Sequence, residues 1–330
     1  MPIVAHPKLP SLSKLKTEDL IIADASSLAK EFHQELRIGL LNLMPDAALQ
    51  ATERQFIRML GSDENILVHV YPTTVESSKR GEEFQDYIAK NYNDISTIYA
   101  SKLDGLIISG ANPSKPDMTE EPFWAPLVEV MDWAMENTNS ILCSCLATHA
   151  LLKYYFNIDR ELRGQKSWGV FPHTVANSSN PLIAGLDDSF MGLHSHFYDL
   201  PLKKIQDTDL EVLAYHSQAG FFLASTTDTK LVLYQGHPEY DAISLLKEYQ
   251  REITNFLSGL RPDYPPLPEN YFSKAAIPVL ENFQKKVLLT KEQSNFPEAR
   301  LSELVKVEWR HPGKILYKNW LNILVKAKEL

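Results

Sequence analysis

The sequence predicts an α/β fold in which a mostly parallel β-sheet is flanked by helices and followed by a C-terminal extension. Short apolar runs alternate with segments of helical periodicity along the first half of the chain, a pattern typical of parallel strands joined by helices. Several runs are apolar at consecutive positions, which indicates strands buried on both faces. Hydrophobic residues make up 44% of the 330 residues, so the chain can bury a substantial core.

The strands predicted in the first half are apolar or β-branched runs that end at a proline, a glycine or a polar turn. They span residues 36–44, 66–71, 103–109 and 140–143. The predicted helices carry apolar side chains at helical spacing, and the first of them is closed by a glycine. They span residues 47–60, 124–135 and 146–155.

The second half of the chain is richer in strands. These strands are predicted at residues 211–215, 220–225 and 230–235, and a helix follows at residues 242–257. Residues 259–268 contain four prolines, which predicts a linker or a loop on the surface. Residues 274–304 are charged and helical without a clear motif. We therefore expect an α/β domain over residues 1–260 and a C-terminal extension over residues 261–330 that packs back on it.

Composition excludes several classes of function. The formal charge is −9 and the isoelectric point is about 5.6, which argues against a general nucleic-acid binder. No apolar run is long enough to span a membrane, and residues 1–16 lack the apolar core of a signal peptide. Two cysteines one residue apart build neither a disulfide framework nor a four-ligand zinc site. We expect a cytoplasmic protein without metal, nucleic-acid or membrane partners.

Cys145 is the first candidate for chemistry. It lies where a predicted strand gives way to the helix that begins at Leu146. Such a junction places a side chain beside the unpaired N–H groups of a helix N-terminus, which favours the thiolate, and puts the Leu146 N–H in position to hold an oxyanion. The alternative is a buried structural thiol, since free cysteine is among the most buried residue types. Cys143 fits that alternative better.

His237 and Glu239 follow the predicted strand at residues 230–235. Side chains two apart in an extended segment point the same way, so we expect these two to lie together. A neutral imidazole accepts the proton of a thiol, and a carboxylate on its far nitrogen fixes the tautomer. An isolated His-x-Glu in a turn is usually solvated and idle. Paired with a cysteine after an earlier strand, it fits several classes of Cys-His-Glu enzyme.

Other ionisable residues have plainer interpretations. His194 and His196 have the spacing of a metal pair, but without acidic ligands nearby they indicate a strand face beside a polar pocket. Lys166 is a single cation of the kind usually found on a surface. Glu248 and Arg251 are three residues apart on a predicted helix, where a local ion pair is expected.

The motifs of the chain, taken in order, resemble those of one enzyme family. The motifs are LLNLMP, the T-E-x-Q-F residues Thr52, Glu53, Gln55 and Phe56, DGLIISGA, FWAPLVEVMDWA, the cysteine segment, WGVFPH, GLDDSF, HSH and GHPEYD. Together they are similar to homoserine O-acyltransferases of the homoserine trans-succinylase type, which open methionine biosynthesis. The resemblance covers about residues 1–260 and returns at residues 309–325, whereas residues 262–308 match nothing that we recognise.

The resemblance implies a fold similar to class I glutamine amidotransferases (flavodoxin-like) and a ping-pong acyl transfer. It implies that Cys145 takes the acyl group from acyl-coenzyme A as a thioester, that His237 is the proton acceptor and that Glu239 orients it. The oxyanion would be held by backbone N–H groups of Leu146 and Ala111. No bound cofactor is implied, only acyl-coenzyme A as co-substrate, and the protein is expected to bind small molecules, with a homodimer as the candidate assembly.

The resemblance also implies substrate-binding and selector positions. Lys166, Ser195 and Arg251 fall on the family's substrate-binding positions, and an arginine suits the amino-acid carboxylate. The acyl selector falls on Ser114, where the family has Glu with acetyl donors and Gly with succinyl donors.

The chain departs from the family at several of these places. Met44-Pro45-Asp46 replaces Met-Pro-Lys, His194-Ser195-His196 replaces His-Ser-Arg, Leu146-Ala147-Thr148-His149 follows the cysteine, and Ser114 matches neither selector.

These features predict an L-homoserine O-acyltransferase. Succinyl is favoured over acetyl because Ser114 is small and uncharged and does not repel a succinyl carboxylate. The nearest alternative is an L-serine O-acetyltransferase of the same fold that feeds cysteine synthesis, which the loss of the arginine at His196 motivates. A glutamine amidotransferase-like hydrolase would use the same three side chains, and a non-catalytic binding protein would not need them.

Overall fold

The computed structural model describes residues 2–5, 9–16, 21–22, 34–75, 80–292 and 295–329. Its strands are β1 (Pro2–Ala5), β2 (Ile21–Ile22), β3 (Gln34–Leu41), β4 (Ile66–Thr73), β5 (Gly105–Ile108), β6 (Ser140–Ser144), β7 (Glu161–Val175), β8 (Ser189–Asp199), β9 (Leu210–His216), β10 (Gly220–Thr226) and β11 (Leu231–Tyr234). Its helices are α1 (Leu12–Lys16), α2 (Asp46–Leu60), α3 (Glu82–Asn91), α4 (Ile95–Ala100), α5 (Trp124–Asn137), α6 (Leu146–Phe156), α7 (Leu202–Gln206), α8 (Ser244–Leu257), α9 (Ile277–Thr290), α10 (Glu298–Ser302) and α11 (Arg310–Lys328).

Parts of three sequence predictions lie outside the described residues. They are residues 1 and 6–8 of the segment predicted to lack a signal peptide, residues 293 and 294 of the charged helical segment, and residue 330 of the extension.

The described strands form one mixed sheet in the order β2-β1-β4-β3-β5-β6-β11-β10-β9-β7-β8. Neighbouring strands are parallel from β2 to β11 and antiparallel from β11 to β8. Strand β3 lies between β4 and β5, so the direction in which the chain crosses the sheet reverses there. The carboxyl ends of β5, β6 and β11 lie side by side, at the edge where open α/β sheets bind ligands.

Helices cover both faces of the parallel half. In β5, Ile107 packs into the core formed with α2 and α11, whereas Leu106 and Ile108 pack into the core formed with α5 and α6. This alternation follows from the two-residue period of a strand, and the apolar residues at consecutive positions are therefore all buried. The predicted α/β fold with a largely parallel, helix-covered sheet is confirmed.

The predicted strands and helices are present, with ends shifted by at most three residues. The largest shift is in β3, which ends at Leu41 instead of residue 44. The Asn42 N–H still donates to the Thr73 carbonyl of β4, but the Leu43 N–H donates to the Ser109 side chain at 2.9 Å instead of to a strand backbone.

The prediction that the second strand stops at Pro72 was wrong, because β4 continues through this proline. Strand β1 pairs with β4 only as far as Val70, so Pro72 lies beyond the end of its neighbour, where no backbone N–H is needed. Pro172 of β7 has the same setting, since β7 pairs with β9 only at Thr174 and Val175. A proline therefore marks an unpaired strand edge in both places.

The C-terminal segment contacts the sheet at two places. Glu269, next to the proline-rich stretch, pairs with β7 through hydrogen bonds to Trp168 and Val170 of 2.9 and 2.8 Å. Helix α11 packs against α2 and β3 with Leu316 and Trp320 fully buried. The proline-rich stretch at residues 259–268 is thus followed directly by a residue that is hydrogen-bonded to β7. The division of the chain into two parts at residue 260 stays a prediction.

The described residues contain neither a membrane-spanning helix nor a cluster of metal ligands. No helix among them combines the length and the apolar composition needed to cross a membrane. Nor do any three or more of their His, Cys, Asp or Glu side chains come together in a way that would hold a metal ion.

Candidate active site

Cys145 forms a sharp turn between β6 and α6. Strand β6 ends at Ser144 and α6 begins at Leu146, and the φ of 50° and ψ of −107° at Cys145 lie outside the regions that residues with a side chain ordinarily adopt. Its N–H donates to the Tyr234 carbonyl of β11 at 2.7 Å, and its carbonyl accepts from the His149 N–H at 3.2 Å. Strain held in this way is typical of functional positions.

Cys143 lies two residues earlier and faces the core. It is fully buried among the side chains of α5 and α6, and this burial raises the pKa of its thiol. A buried thiol stays protonated and unreactive. The partly exposed Cys145 is therefore the only one of the two cysteines that a substrate reaches without unfolding the strand.

The loop after β5 lies directly against the cysteine turn. A Cβ atom built on Gly110 would be 3.7 Å from the Cys145 Cβ and 3.9 Å from the Leu146 nitrogen. Leu146 is the first residue of α6, and the first N–H groups of a helix have no partner within it. Gly110, the neighbour of Ala111, thus lies beside the Leu146 N–H, and the role of the Ala111 and Leu146 N–H groups in holding an oxyanion stays a prediction.

His237 and Glu239 form a buried pair in the loop that follows β11. The His237 Nδ1 donates to the Glu239 Oε1 at 2.8 Å, and the His237 N–H donates to the Leu193 carbonyl of β8 at 2.8 Å. Burial alone would lower the pKa of His237, but the Glu239 carboxylate and the Cys145 sulfur raise it to about 10. The structure therefore brings the cysteine, histidine and glutamate together, with the imidazolium stabilised by the Glu239 carboxylate.

Helix α2 holds the backbone on which Glu239 stands. The Arg58 Nη2 donates to the Glu239 carbonyl at 2.6 Å, and Arg54 and Arg58 both form ion pairs with the Asp241 carboxylate. Arg54 is the variable residue of the T-E-x-Q-F motif, and Asp241 ends the GHPEYD motif. On the other side, the Ser144 Oγ donates to the Glu239 Oε1 at 3.4 Å. The helix of the T-E-x-Q-F motif and the GHPEYD motif thus together hold the Glu239 backbone in place.

A second polar group joins two of the predicted substrate-binding residues. The Glu248 Oε2 lies 2.7 Å from the Lys166 Nζ and accepts from the Ser195 Oγ at 2.6 Å. Burial would raise the pKa of Glu248, but Lys166 and Ser195 lower it, so the carboxylate is charged. The local pair expected between Glu248 and Arg251 is therefore replaced by a contact between helix α8 and strand β7. Arg251 is 62% exposed, with its Nε 3.9 Å from Glu252.

Glu248 is a site residue that sequence reasoning used only as a partner for Arg251. Its actual partner Lys166 is 82 positions away, so no local pattern pointed to it. The only signal in the sequence was its position one helical turn before Arg251.

Tyr240 packs directly on His237. Its ring stacks on that of His237 with the centroids 4.1 Å apart. Burial raises the pKa of Tyr240, and the Glu248 and Glu239 carboxylates raise it further. The phenol therefore stays protonated beside the imidazole.

The predicted selector Ser114 is exposed and is held by a carboxylate. The Glu121 side chain accepts hydrogen bonds from the backbone N–H groups of Ser114 and Lys115, and the Ser114 Oγ lies 3.3 Å from the Glu121 Oε2. The preference for succinyl over acetyl assumed that no negative charge lies at Ser114. That assumption was wrong, because Glu121 brings a buried carboxylate to this position.

The histidines of the HSH motif lie on β8, as predicted, and continue into a buried chain with His173 of β7. The Nε2 atoms of His173 and His194 are 2.9 Å apart, and the His194 Nδ1 is 2.9 Å from the His196 Nε2. Burial lowers the pKa of all three. His196 therefore supplies no permanent charge where the family has an arginine.

Comparisons with known proteins identify relatives along the whole chain. The sequence profile of homoserine O-succinyltransferase matches residues 2–329. A homoserine O-succinyltransferase of Methylobacter tundripaludum is 45% identical over 327 residues, which cover 97% of this chain and 92% of that protein. One of Methylococcus capsulatus is 42% identical over 327 residues, with the same coverage.

Among solved structures, a glutamine amidotransferase of Thermotoga maritima gives a TM-score of 0.45 at 12% identity and covers 90% of this chain and 100% of that one. The resemblance inferred from the motifs is confirmed by the profile and the relatives, and the match runs through residues 262–308, which the motifs had left unrecognised. The chain belongs to the homoserine O-succinyltransferase family.

Proposed function

We propose that the protein transfers a succinyl group from succinyl-coenzyme A to the hydroxyl of L-homoserine, the first step of methionine biosynthesis. The observation that carries the proposal is the strained Cys145 beside the hydrogen-bonded pair of His237 and Glu239, in a chain of this family. The choice of succinyl is supported by the names of the relatives.

In the first half-reaction Cys145 is the nucleophile. Its thiolate attacks the carbonyl carbon of the donor thioester, and the oxygen that becomes negative is held by the backbone N–H groups of Leu146 and Ala111. The bond to the coenzyme A sulfur then breaks, and His237 gives its proton to that sulfur. Glu239 keeps the imidazole in the orientation that serves both its protonated and its neutral form.

In the second half-reaction the neutral His237 accepts the proton of the homoserine hydroxyl. The hydroxyl oxygen attacks the acyl-Cys145 carbonyl carbon, and the bond to the cysteine sulfur breaks as the ester forms. The thiolate and the imidazolium are thereby restored. The pKa of His237, raised to about 10, suits this cycle because the imidazole is then protonated at the start, as proton donation to the coenzyme A sulfur requires.

The charged group around Glu248 suits the amino-acid end of the acceptor. Its carboxylate complements an α-ammonium group, and the exposed guanidinium of Arg251 one turn away complements an α-carboxylate. Lys166 and Ser195 fix the Glu248 carboxylate. We therefore assign them to acceptor binding, partly through Glu248.

An L-serine acceptor with an acetyl donor is the second candidate. One observation favours it: His196, at the position of the family's arginine, is buried and its pKa is lowered, so the site has one permanent cation fewer. A glutamine-hydrolysing activity would use the same Cys145 and would be seen as ammonia release.

The test is a matrix of succinyl- and acetyl-coenzyme A against L-homoserine and L-serine, followed by release of the coenzyme A thiol. We expect the highest kcat/KM for succinyl-coenzyme A with homoserine. A higher value for acetyl-coenzyme A with serine would replace the proposed substrates, and ammonia from glutamine without thiol release would replace the reaction class.

The nucleophile is tested by mixing the enzyme with donor in the absence of acceptor. Intact-mass and peptide analysis should find a single acyl group on the peptide of Cys145, because Cys143 is buried and protonated. The adduct should vanish in Cys145→Ala and persist in Cys143→Ala, which is the matched control. The reverse pattern would remove Cys145 from the mechanism.

A further inference from the structure

Arg160 is a cation near the cysteine that neither the motifs nor the reaction steps account for. It lies between α6 and β7, with its guanidinium carbon 3.9 Å above the ring centroid of Tyr198 and its Nη2 donating to the Pro116 carbonyl at 3.3 Å. Its Nε is buried and has no hydrogen-bond partner in the described chain. The side chain is thus held in place by neutral groups, and part of its donor capacity is unused.

The charge of Arg160 has no carboxylate in direct contact. Among the described residues no ion pair includes it, although Glu121 and Asp117 are near enough to influence its pKa. Both carboxylates already accept hydrogen bonds from other groups. Glu121 accepts hydrogen bonds from Ser114 and Lys115, and Asp117 accepts from the Thr119 N–H at 2.9 Å. A partly buried guanidinium without a counter-ion indicates an anionic ligand.

The surroundings of Arg160 place that ligand beside the reacting sulfur. The loop that runs from Gly110 to Pro116 connects the two groups: Arg160 donates to the Pro116 carbonyl at its far end, and a Cβ built on Gly110 at its near end would be 3.7 Å from the Cys145 Cβ. The guanidinium also touches Pro116, in the same loop as the predicted selector Ser114. An arginine stays protonated at any pH at which the enzyme works.

We propose that Arg160 binds the distal carboxylate of the succinyl donor and thereby selects succinyl over acetyl. This inference rests on the proposed function. In a succinyl group three carbon–carbon bonds separate the distal carboxyl carbon from the carbonyl carbon that Cys145 attacks, so the anion stays close to the sulfur throughout the transfer. An acetyl group ends at its methyl carbon and leaves Arg160 without a partner. The residue is a specificity determinant that acts on the acyl chain.

A phosphate of coenzyme A is the other source of an anion in this reaction. Both donors carry the same phosphates, whereas only succinyl carries the second carboxylate. A comparison of the two donors in one variant therefore separates the two sources.

The experiment measures kcat/KM for succinyl- and acetyl-coenzyme A in the wild-type protein and in Arg160→Met, which keeps much of the side-chain volume. Loss of a hydrogen-bonded charge pair predicts a fall of about tenfold to a hundredfold with succinyl-coenzyme A, and a change of less than about threefold with acetyl-coenzyme A. Arg160→Lys, which keeps the charge, should recover part of the succinyl rate.

Arg163→Met is the matched control. Arg163 is three residues away on β7, but its charge is paired with Asp199, so the ratio between the two donors should equal that of the wild type. Melting temperatures show whether each variant folds. If Arg160→Met does not fold, the ratio of kcat/KM for the two donors in Arg160→Lys is compared with the wild type instead.

The outcomes distinguish this inference from the proposed function. If the wild-type protein transfers no succinyl group, the proposed function fails and this inference fails with it. If it does transfer succinyl and Arg160→Met keeps the wild-type ratio, or loses both donors equally, the inference alone is overturned. In the last case Arg160 serves the coenzyme or the loop.

Discussion

At the scale of single residues, the charge of His237 is the central property of the site. A buried imidazolium is costly unless it is compensated. Here the Glu239 carboxylate lies 2.8 Å from the imidazole and helps to raise the pKa of His237. The backbone turn places Cys145 at the start of a helix, where the dipole favours an anion.

Glu239→Gln tests this charge balance. The amide keeps the size of the side chain but cannot stabilise an imidazolium and can favour the wrong tautomer. In the triad of serine proteases the equivalent change lowers kcat about 10⁴-fold, so we expect a loss of at least about a hundredfold in kcat with little change in KM. Steady-state kinetics with both substrates measure it.

Glu211→Gln is the control for this variant. It makes the same chemical change at a part-buried glutamate of β9, which bonds only to Asn177 and Asn180 in the described chain. Its activity should equal that of the wild type. Near-normal turnover in a well-folded Glu239→Gln would show that the glutamate is not needed.

The sequence predicts part of this site and misses the rest for a physical reason. Cys145 and the His237–Glu239 pair follow the ends of strands, so short patterns with local geometry reveal them. Glu121 and Arg160 acquire their meaning only from the loop and the ring against which the fold places them. No spacing in the chain encodes those contacts.

At the scale of elements, helix α2 supports the loop that carries His237 and Glu239. Asp241 forms ion pairs with both Arg54 and Arg58, and Arg58 in turn donates to the Glu239 carbonyl. Burial would raise the pKa of Asp241, but the two arginines lower it. The helix thereby couples the position of the Glu239 side chain to an ion-pair network.

Asp241→Asn is expected to weaken both stability and activity. Two arginines lose the ion pair with Asp241 in a place that is only slightly exposed, so the free energy of unfolding should fall by roughly 2–3 kcal/mol at pH 7, somewhat less than for a fully buried pair. We also expect kcat to fall about tenfold, because Arg58 is free to leave the Glu239 carbonyl. Urea denaturation and kinetics measure the two effects.

The pH dependence of this loss has a defined sign. Asp241 has a lower pKa in the folded than in the unfolded chain, so its stabilisation is present above the unfolded value of about 3.9 and disappears as the pH falls through the folded pKa. The difference between wild type and variant should be constant from pH 5 to 8 and shrink below about pH 4. Asp159→Asn, which affects an exposed ion pair with Lys153, should change little at any pH. A difference that grew toward acid would contradict the role of Asp241.

Among the strands that the sequence did not predict are β7 and most of β8. Strand β7 is long, includes Gly164 and Pro172, and has a register shift between Leu162 and Ser167 in its pairing with β8. These features interrupt the two-residue alternation on which strand prediction depends. The parallel strands β3, β4, β5, β6 and β11 were predicted because most of their positions are buried and apolar.

At the scale of the whole molecule, the C-terminal helix closes one of the two large cores. Helix α11 lies under the parallel sheet, where Trp320 and Leu324 approach Gly105 of β5 so closely that a Cβ there would be 3.1 and 2.9 Å from them. Tyr317 of the same helix stacks on Tyr234 at the end of β11, with the centroids 6.1 Å apart. The helix thus contacts the strand that leads into the loop of His237.

Trp320→Ala tests whether the chain's last helix and the active site unfold together. The Trp320 ring is fully buried and its Nε1 donates to the Ser140 Oγ at 3.0 Å, so truncation should lower the free energy of unfolding by about 3–5 kcal/mol. Because α11 shares its core with β3, β5 and β11, activity and far-ultraviolet circular dichroism should be lost in one coincident urea transition. Leu289→Ala, at a side chain that is 85% exposed, is the control and should change stability by less than about 0.5 kcal/mol. A separate early transition that removed helical signal while activity persisted would show instead that α11 is an independent appendage, and that its contact with Tyr234 does not support the site.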